Sequence, residues 1–174
     1  MSFAAYTSAM VVRQGSIPGW EHFHLPPILY WNSLVLLASS GTLELARRRI
    51  GGPFDRLGRA DALSAESLRG RLFWLRVTLA MGFVFLIGQY LAWRGLSAQG
   101  VYLATSPSSS FFYVLTAVHA LHLIGGLAAM LYAIDCLRID DGPRPISVLS
   151  AVSLYWHFMA VLWLYLLVIL SLWV

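Results

Sequence analysis

The sequence predicts an all-α, polytopic membrane protein that folds as a bundle of four transmembrane helices. Hydrophobic residues make up 59% of the 174 residues and charged residues only 11%, which is too apolar for a soluble domain. Four apolar runs have the length that a helix needs to cross a bilayer core of roughly 30 Å. These predicted crossings cover residues 28–45, 72–93, 111–134 and 149–174. The crossings form one domain, residues 27–174.

Residues 1–26 are expected to form an irregular or interfacial arm on the non-cytoplasmic side. Trp20 and a proline pair just before the first crossing are typical of a segment at the level of the lipid headgroups. His22 and His24 offer two imidazoles, whereas known metal sites use three or four ligands. We therefore assign no metal to this arm.

The first crossing carries polar residues on one side and a carboxylate near its end. Asn32 and Ser39 share a helix face, which should turn toward protein rather than lipid. Glu44 is the only carboxylate within the first three crossings. Because Arg47 and Arg48 follow at i+3 and i+4, the pattern favours an ion pair at the membrane surface over a proton carrier.

The other crossings also have polar or small residues on one side. Gln89 belongs to such a stripe on the second crossing, and His119, His122 and Gly126 fall on one side of the third. His157, the third intramembrane histidine, is expected to point inward from the last crossing. Such faces pack against other helices, because polar groups find no partner among acyl chains.

Arginine is unevenly distributed among the loops. All 12 basic residues are arginine, and seven of them lie within residues 47–71. The next loop has one, and the loop at 138–147 has two. The positive-inside rule then places the 47–71 and 138–147 loops in the cytoplasm and both termini on the opposite side. The formal charge of +4 therefore indicates membrane orientation, and no nucleic-acid partner is expected.

Three intramembrane histidines raise the question of a metal or haem. A haem held by two histidines from different helices is conceivable, as is a zinc or copper site. The spacing argues against both, because His119 and His122 share one helix face. No intramembrane carboxylate accompanies the histidines as di-iron sites require. We favour packing and hydrogen-bonding roles, with no metal, no cofactor and no catalysis by this chain alone.

Four stretches resemble, in order and spacing, the haem-copper (cytochrome c) oxidase subunit III family. Thr116-Ala-Val-His-Ala-Leu-His resembles that family's Thr-Gly-Phe-His-Gly-Leu-His signature, and Phe85-Leu-Ile-Gly-Gln resembles its Phe-Leu-x-x-Gln run. Asn32-Ser-Leu-Val-Leu-Leu-Ala-Ser-Ser is similar to its Asn-Thr…Leu-Leu…Ser-Ser helix. Tyr155-Trp-His-Phe, followed by Val-Leu-Trp-Leu, is similar to its terminal helix. The resemblance covers residues 26–174.

The resemblance implies a non-redox accessory subunit of a proton-pumping terminal oxidase in a bacterial inner membrane. Its expected partners are catalytic subunit I, other oxidase subunits and phospholipids. The haems and copper are expected in the partner subunits. Arg138 matches an arginine of the family and would contact a lipid headgroup. The residues expected to serve structure or subunit contacts are Asn32, Ser39, Gln89, His119, His122, Gly126, Trp156 and His157.

Departures from the family pattern leave alternatives open. The likeness begins at the fourth of the seven crossings of typical members, which predicts a short form without the N-terminal helices. Ala92 and Ala160 stand where the family has acidic residues, so a proton-buffering role through intramembrane carboxylates is not expected. The alternatives are an accessory subunit of a nitric oxide reductase, a stand-alone haem or quinone anchor, and a small proton or ion transporter.

Overall fold

The computed structural model describes residues 26–48, 65–102, 107–139 and 144–173, together with Ala5, residues 7–9 and Val12. Ala5, residues 7–9 and Val12 are helical, although the sequence pattern favours an irregular or interfacial arm in this part of the chain. The Thr7 hydroxyl lies 3.2 Å from the hydroxyl of Tyr165, so this segment contacts the last helix. The remainder of the arm, with His22 and His24, and loop residues 49–64 lie outside the described residues.

Regular structure among the described residues is helical, which confirms the all-α class. The four long helices are α1 (Ile28–Arg48), α2 (Ala65–Ala98), α3 (Pro107–Ile139) and α4 (Arg144–Trp173). Each contains a predicted crossing almost completely and extends beyond it at one or both ends. The extensions carry polar and arginine residues, which a search for apolar runs excludes but a helix outside the bilayer core tolerates.

Proline and glycine set two of the helix boundaries. The carbonyls of Pro26 and Pro27 accept hydrogen bonds from the first backbone amides of α1, and proline itself is tolerated at a helix start because it lacks a donor. After α2, Gly100 adopts a φ of 81°, and the amide of Val101 bonds to the carbonyl of Leu96. This left-handed glycine closes the end of α2.

The four helices pack in a ring, in which each touches the helix before and after it and α4 closes on α1. Contacts between α1 and α2 run from Asn32 against Phe85 to Thr42 against Thr78, so these neighbours are antiparallel. The ring encloses a core of apolar side chains that are almost completely buried. Its largest members are Trp156, Trp163, Phe85, Phe112, Leu29, Leu36, Leu43, Leu75, Leu96, Leu115 and Leu123.

Three helices within the described ranges are long and apolar enough to cross a membrane. These spans are Arg69–Ala98, Ser108–Ile139 and Ser147–Leu172. Helix α1 is not among them, because Asn, Ser, Thr and Glu side chains lower its apolar character. The three spans correspond to the second, third and fourth predicted crossings.

Candidate functional site

Two indole–hydroxyl hydrogen bonds join α4 to α1 inside the core. The indole nitrogen of Trp156 donates to the Ser39 hydroxyl at 3.1 Å, and that of Trp163 donates to the Ser33 hydroxyl at 2.8 Å. Each serine also donates to a carbonyl of its own helix, at 2.7 and 2.8 Å. Both indole donors and both hydroxyls are therefore satisfied without water, which a buried polar group in an apolar core requires.

Helices α1 and α2 approach each other closely where Asn32 meets Gly88. The Asn32 amide nitrogen donates to the backbone carbonyl of Phe85 at 3.1 Å. A Cβ atom on Gly88 would lie only 2.0 Å from the Asn32 side-chain oxygen. Glycine at 88 is thus what allows this interhelical hydrogen bond to form.

His119 and Gln89 are buried in the middle of the bundle. His119 is 0% exposed and lies between two aromatic rings, with centroid distances of 5.9 Å to Phe85 and 5.0 Å to Trp163. Gln89 is 1% exposed. Neither side chain makes a hydrogen bond to any other part of the described chain.

The structure separates the two histidines that the sequence pattern places on one side of α3. His122 is exposed, its Nδ1 lies 2.8 Å from the carbonyl of Val118, and its own carbonyl accepts a 2.9 Å bond from the Tyr155 hydroxyl. Because a carbonyl can only accept, that ring nitrogen is the donor. Gly126 is buried, and a Cβ on it would lie 3.0 Å from the ring of Tyr155. Within about two turns of α3, His119 is therefore buried, His122 is exposed and Gly126 contacts α4.

His157 belongs to a polar group at the α1–α4 contact rather than to the core. Its Nδ1 hydrogen-bonds to the hydroxyl of Ser40, and its Nε2 lies 3.7 Å from a carboxylate oxygen of Glu44. Arg47 and Arg48 donate to Glu44 at 2.8 and 2.9 Å, which confirms the predicted ion pair. The hydrogen bond to Glu44 raises the pKa of the Arg47 guanidinium.

Arg138 lies near the end of α3, with 47% of its side chain exposed. One of its guanidinium nitrogens lies 3.9 Å from a carboxylate oxygen of Asp135. A pair at this distance between exposed groups is weak, so the guanidinium can still reach an anion. Within the described ranges, no group of three or more His, Cys, Asp or Glu side chains is arranged to hold a metal ion.

Several contacts escaped the sequence analysis. Trp163 and Ser33 repeat the bond between Trp156 and Ser39 about two turns along the two helices. A signal was present, since serines six residues apart and tryptophans seven residues apart can pair across antiparallel helices. The role of Gly88 had no such signal, because a single glycine in an apolar run does not show which side chain approaches it.

Comparison with known proteins agrees with this architecture. A sequence model of the family described as cytochrome c oxidase subunit III matches residues 21–174. The chain is 30% identical to the probable cytochrome c oxidase subunit 3 of Mycobacterium tuberculosis, over 93% of this chain and 74% of that protein. It is also 30% identical to the subunit 3 of Corynebacterium diphtheriae, over 84% of this chain and 65% of the relative.

A more distant relative extends the likeness beyond these bacteria. The cytochrome c oxidase subunit 3 of Synechocystis is 28% identical, over 96% of this chain and 67% of the relative. The matched region contains all four long helices and each of the four motif-bearing stretches. This integral membrane chain therefore belongs to the cytochrome c oxidase subunit III family and is an accessory subunit of a haem-copper oxidase complex.

Proposed function

We propose that the chain is a scaffold subunit without a redox centre, which packs on catalytic subunit I and stabilises it. The haems and copper of the complex would then reside in partner subunits. The complex would reduce oxygen to water and pump protons across a bacterial inner membrane. The observation that supports this role best is the pairing of both Ser–Trp sets between α1 and α4.

The pairing matters because it uses the polar atoms that a binding site would present. A hydroxyl that already donates to a backbone carbonyl and accepts from an indole has little capacity left for a ligand. Interhelical bonds of this kind fix the register of one helix against another. The α1–α4 pair is therefore suited to keep its shape and to present a constant outer surface to a neighbouring subunit.

The proposal includes four crossings with both termini outside the cytoplasm. The predicted crossing of α1, residues 28–45, rises about 27 Å at 1.5 Å per residue, close to the roughly 30 Å of a bilayer core, and Arg47 and Arg48 follow it at the helix end. Its buried polar residues Asn32, Ser33 and Ser39 bond to carbonyls or indoles inside the bundle. These bonds remove most of the penalty for placing α1 in lipid, so its modest apolar character is compatible with a crossing.

The chain would support proton uptake through its contact with subunit I. Glu44 is the carboxylate of α1, and two arginines hold it. Transfer of a proton through Glu44 would require breaking both ion pairs, so a fixed ion-pair cluster is the better description. Arg138, on the predicted cytoplasmic side, would bind the headgroup of an anionic phospholipid at the edge of the complex.

Gentle purification of the tagged chain from native membranes tests the proposal. We expect haem-containing subunits to co-purify, with a Soret band and oxygen consumption in the eluate. The same chain produced without the other oxidase subunits serves as the control and should show no Soret band. Recovery from native membranes without a haem protein, or a Soret band from the isolated chain, would contradict the scaffold role.

A further inference from the structure

Two buried polar side chains in the centre of the bundle have no hydrogen-bond partner among the described residues. They are Gln89, with its amide nitrogen and oxygen, and His119, with both ring nitrogens. They are 1% and 0% exposed. An unsatisfied buried polar group is costly, and two of them in one core require an explanation.

The register between α2 and α3 places these two side chains at the same depth. Gly82 meets Leu127 at one end of the contact, and the Trp93 indole donates to the Thr116 hydroxyl at 3.1 Å at the other. Between these points, Gln89 lies seven residues after Gly82, at the depth of His119 and Ala120 on the antiparallel helix. Both residues therefore belong to one layer of the α2–α3 interface.

The helix faces agree with the register. Phe85, Gln89 and Trp93 follow one another at intervals of four, so they share a face of α2. Phe85 contacts His119, and Trp93 contacts Thr116, three residues before His119. Gln89 lies between two residues that both contact this part of α3. Its amide therefore faces the same interhelical space as the imidazole.

We propose that Gln89 and His119 share a buried water molecule. The chemistry fits, because the amide offers donors and an acceptor and a neutral imidazole offers one of each, while an internal water needs two to four polar partners. The size also fits. The rings of Phe85 and Trp163 cover the imidazole, and both polar residues are closed to solvent, so the ligand is of the size of water rather than a lipid or a cofactor.

The bridging water explains why the two polar residues coexist in an apolar layer. It would connect α2 to α3 as the indole–hydroxyl bonds connect α4 to α1. Ser153 provides a comparison, because its hydroxyl is also buried and without a partner in the described part of the chain. It lies one turn before Trp156 on α4, at the depth of Thr78 on α2, roughly 15 Å along the axis from Gln89. It therefore belongs to a different layer.

An electron cryo-microscopy map of the purified complex, at a resolution that shows ordered waters, tests the proposal directly. We expect a density peak within about 3.2 Å of a Gln89 side-chain atom and of a His119 ring nitrogen. A direct contact between the amide and the ring would overturn the proposal. So would the lack of a peak there when other internal waters are visible.

A set of variants tests whether the two residues act through a shared molecule. Gln89→Met and His119→Phe each keep the approximate volume but leave the other residue and the water short of partners. We expect each to lower the fraction of this chain retained in the complex after a heat step. The double variant should retain more than the product of the two single retained fractions, because no polar group then remains unsatisfied. A double variant whose retained fraction equals the product of the two single retained fractions would overturn the shared site.

The matched control combines Gln89→Met with Ser153→Ala. Because Ser153 lies in another layer, the retained fraction of this double variant should equal the product of the two single retained fractions. Coupling of equal size in this control pair would mean that the interaction between Gln89 and His119 is a general response of the bundle. That result would overturn the proposal as well.

Discussion

The indole nitrogen of Trp163 lies 2.8 Å from the hydroxyl oxygen of Ser33, between the last helix and the first. Trp163 is 1% exposed, so the bond lies in an environment where no water competes for the donor. The residues are 130 positions apart in the chain, and the bond therefore reports long-range packing.

Removing either partner of this bond should destabilise the protein. Ser33→Ala leaves the buried indole without an acceptor, and Trp163→Phe leaves the hydroxyl with only its bond to Leu29. We expect Ser33→Ala to lower the free energy of unfolding in mixed micelles by about 1 kcal/mol. Trp163→Phe should cost more, because the smaller ring also leaves a cavity in the core. The double variant should cost less than the sum of the two.

Trp31→Phe is the control for loss of an indole, since Trp31 is 69% exposed on the outside of α1. Its free energy of unfolding should change by less than about 0.5 kcal/mol. Equal effects at Trp31 and Trp163 would argue against an energetic role for the buried bond.

Gly88→Ala should disrupt the close approach of α1 and α2. The added methyl group would collide with the Asn32 side chain and break its bond to the Phe85 carbonyl. We expect a loss of about 1–3 kcal/mol in the free energy of unfolding. Gly95→Ala is the matched control, because a Cβ there meets nothing within 4 Å and alanine favours the helix.

A second variant separates the collision from other effects at this position. Combining Gly88→Ala with Asn32→Ala removes the colliding atoms, so the pair should cost less than the two single changes added together. If Gly88→Ala behaves like Gly95→Ala, the interhelical contact at Asn32 is not tight.

Glu44→Gln tests whether the α1 carboxylate carries protons. Its ion pairs with Arg47 and Arg48 are at the protein surface, with 50% and 77% of the arginine side chains exposed, and such pairs contribute at most about 1 kcal/mol. We expect nearly unchanged thermal stability and an unchanged number of protons pumped per oxygen in reconstituted vesicles. Asp135→Asn is the control for loss of a surface carboxylate. Abolished pumping in Glu44→Gln alone would make Glu44 a proton carrier.

Arg138→Ala should weaken the binding of anionic phospholipid to the complex. One arginine near an anionic headgroup contributes about 1 kcal/mol, close to a fivefold change in affinity. Mass spectrometry of the purified complex would measure retained lipid. Arg94→Ala, at an exposed position near the opposite end of the bundle, should leave retention unchanged. Equal retention in Arg138→Ala and the unmodified protein would remove Arg138 from the lipid site.

Helices α2, α3 and α4 were predictable from the sequence because each is a long apolar run, and α1 was predictable from a run that is less apolar. The family was predictable because its motifs occur in order. The ion pair of Glu44 was also predictable, since i+3 and i+4 spacing is a local property of a helix. Long-range partners were not. Periodicity shows which residues share a face, but it does not show which helix that face meets.

His119 and His122 illustrate the limit of periodicity. Residues three apart differ by about 60° around the helix axis, so a single broad face contains both. In the structure, α3 packs against α2 and α4 on adjacent sides, and this angle is enough to bury His119 and leave His122 exposed. The position of a neighbouring helix, which sequence pattern does not encode, decides between the two outcomes.

The contact between α4 and α1 also determines when, during biosynthesis, the bundle can complete its interhelical bonds. Ser33 and Ser39 emerge from the ribosome before the two tryptophans that bond to them, because α1 precedes α4 in the chain. A nascent chain inserted only as far as α3 lacks Trp156 and Trp163, the two indoles that bond to its first helix. Helix α1 therefore completes its interhelical hydrogen bonds only after α4 has been translated and inserted.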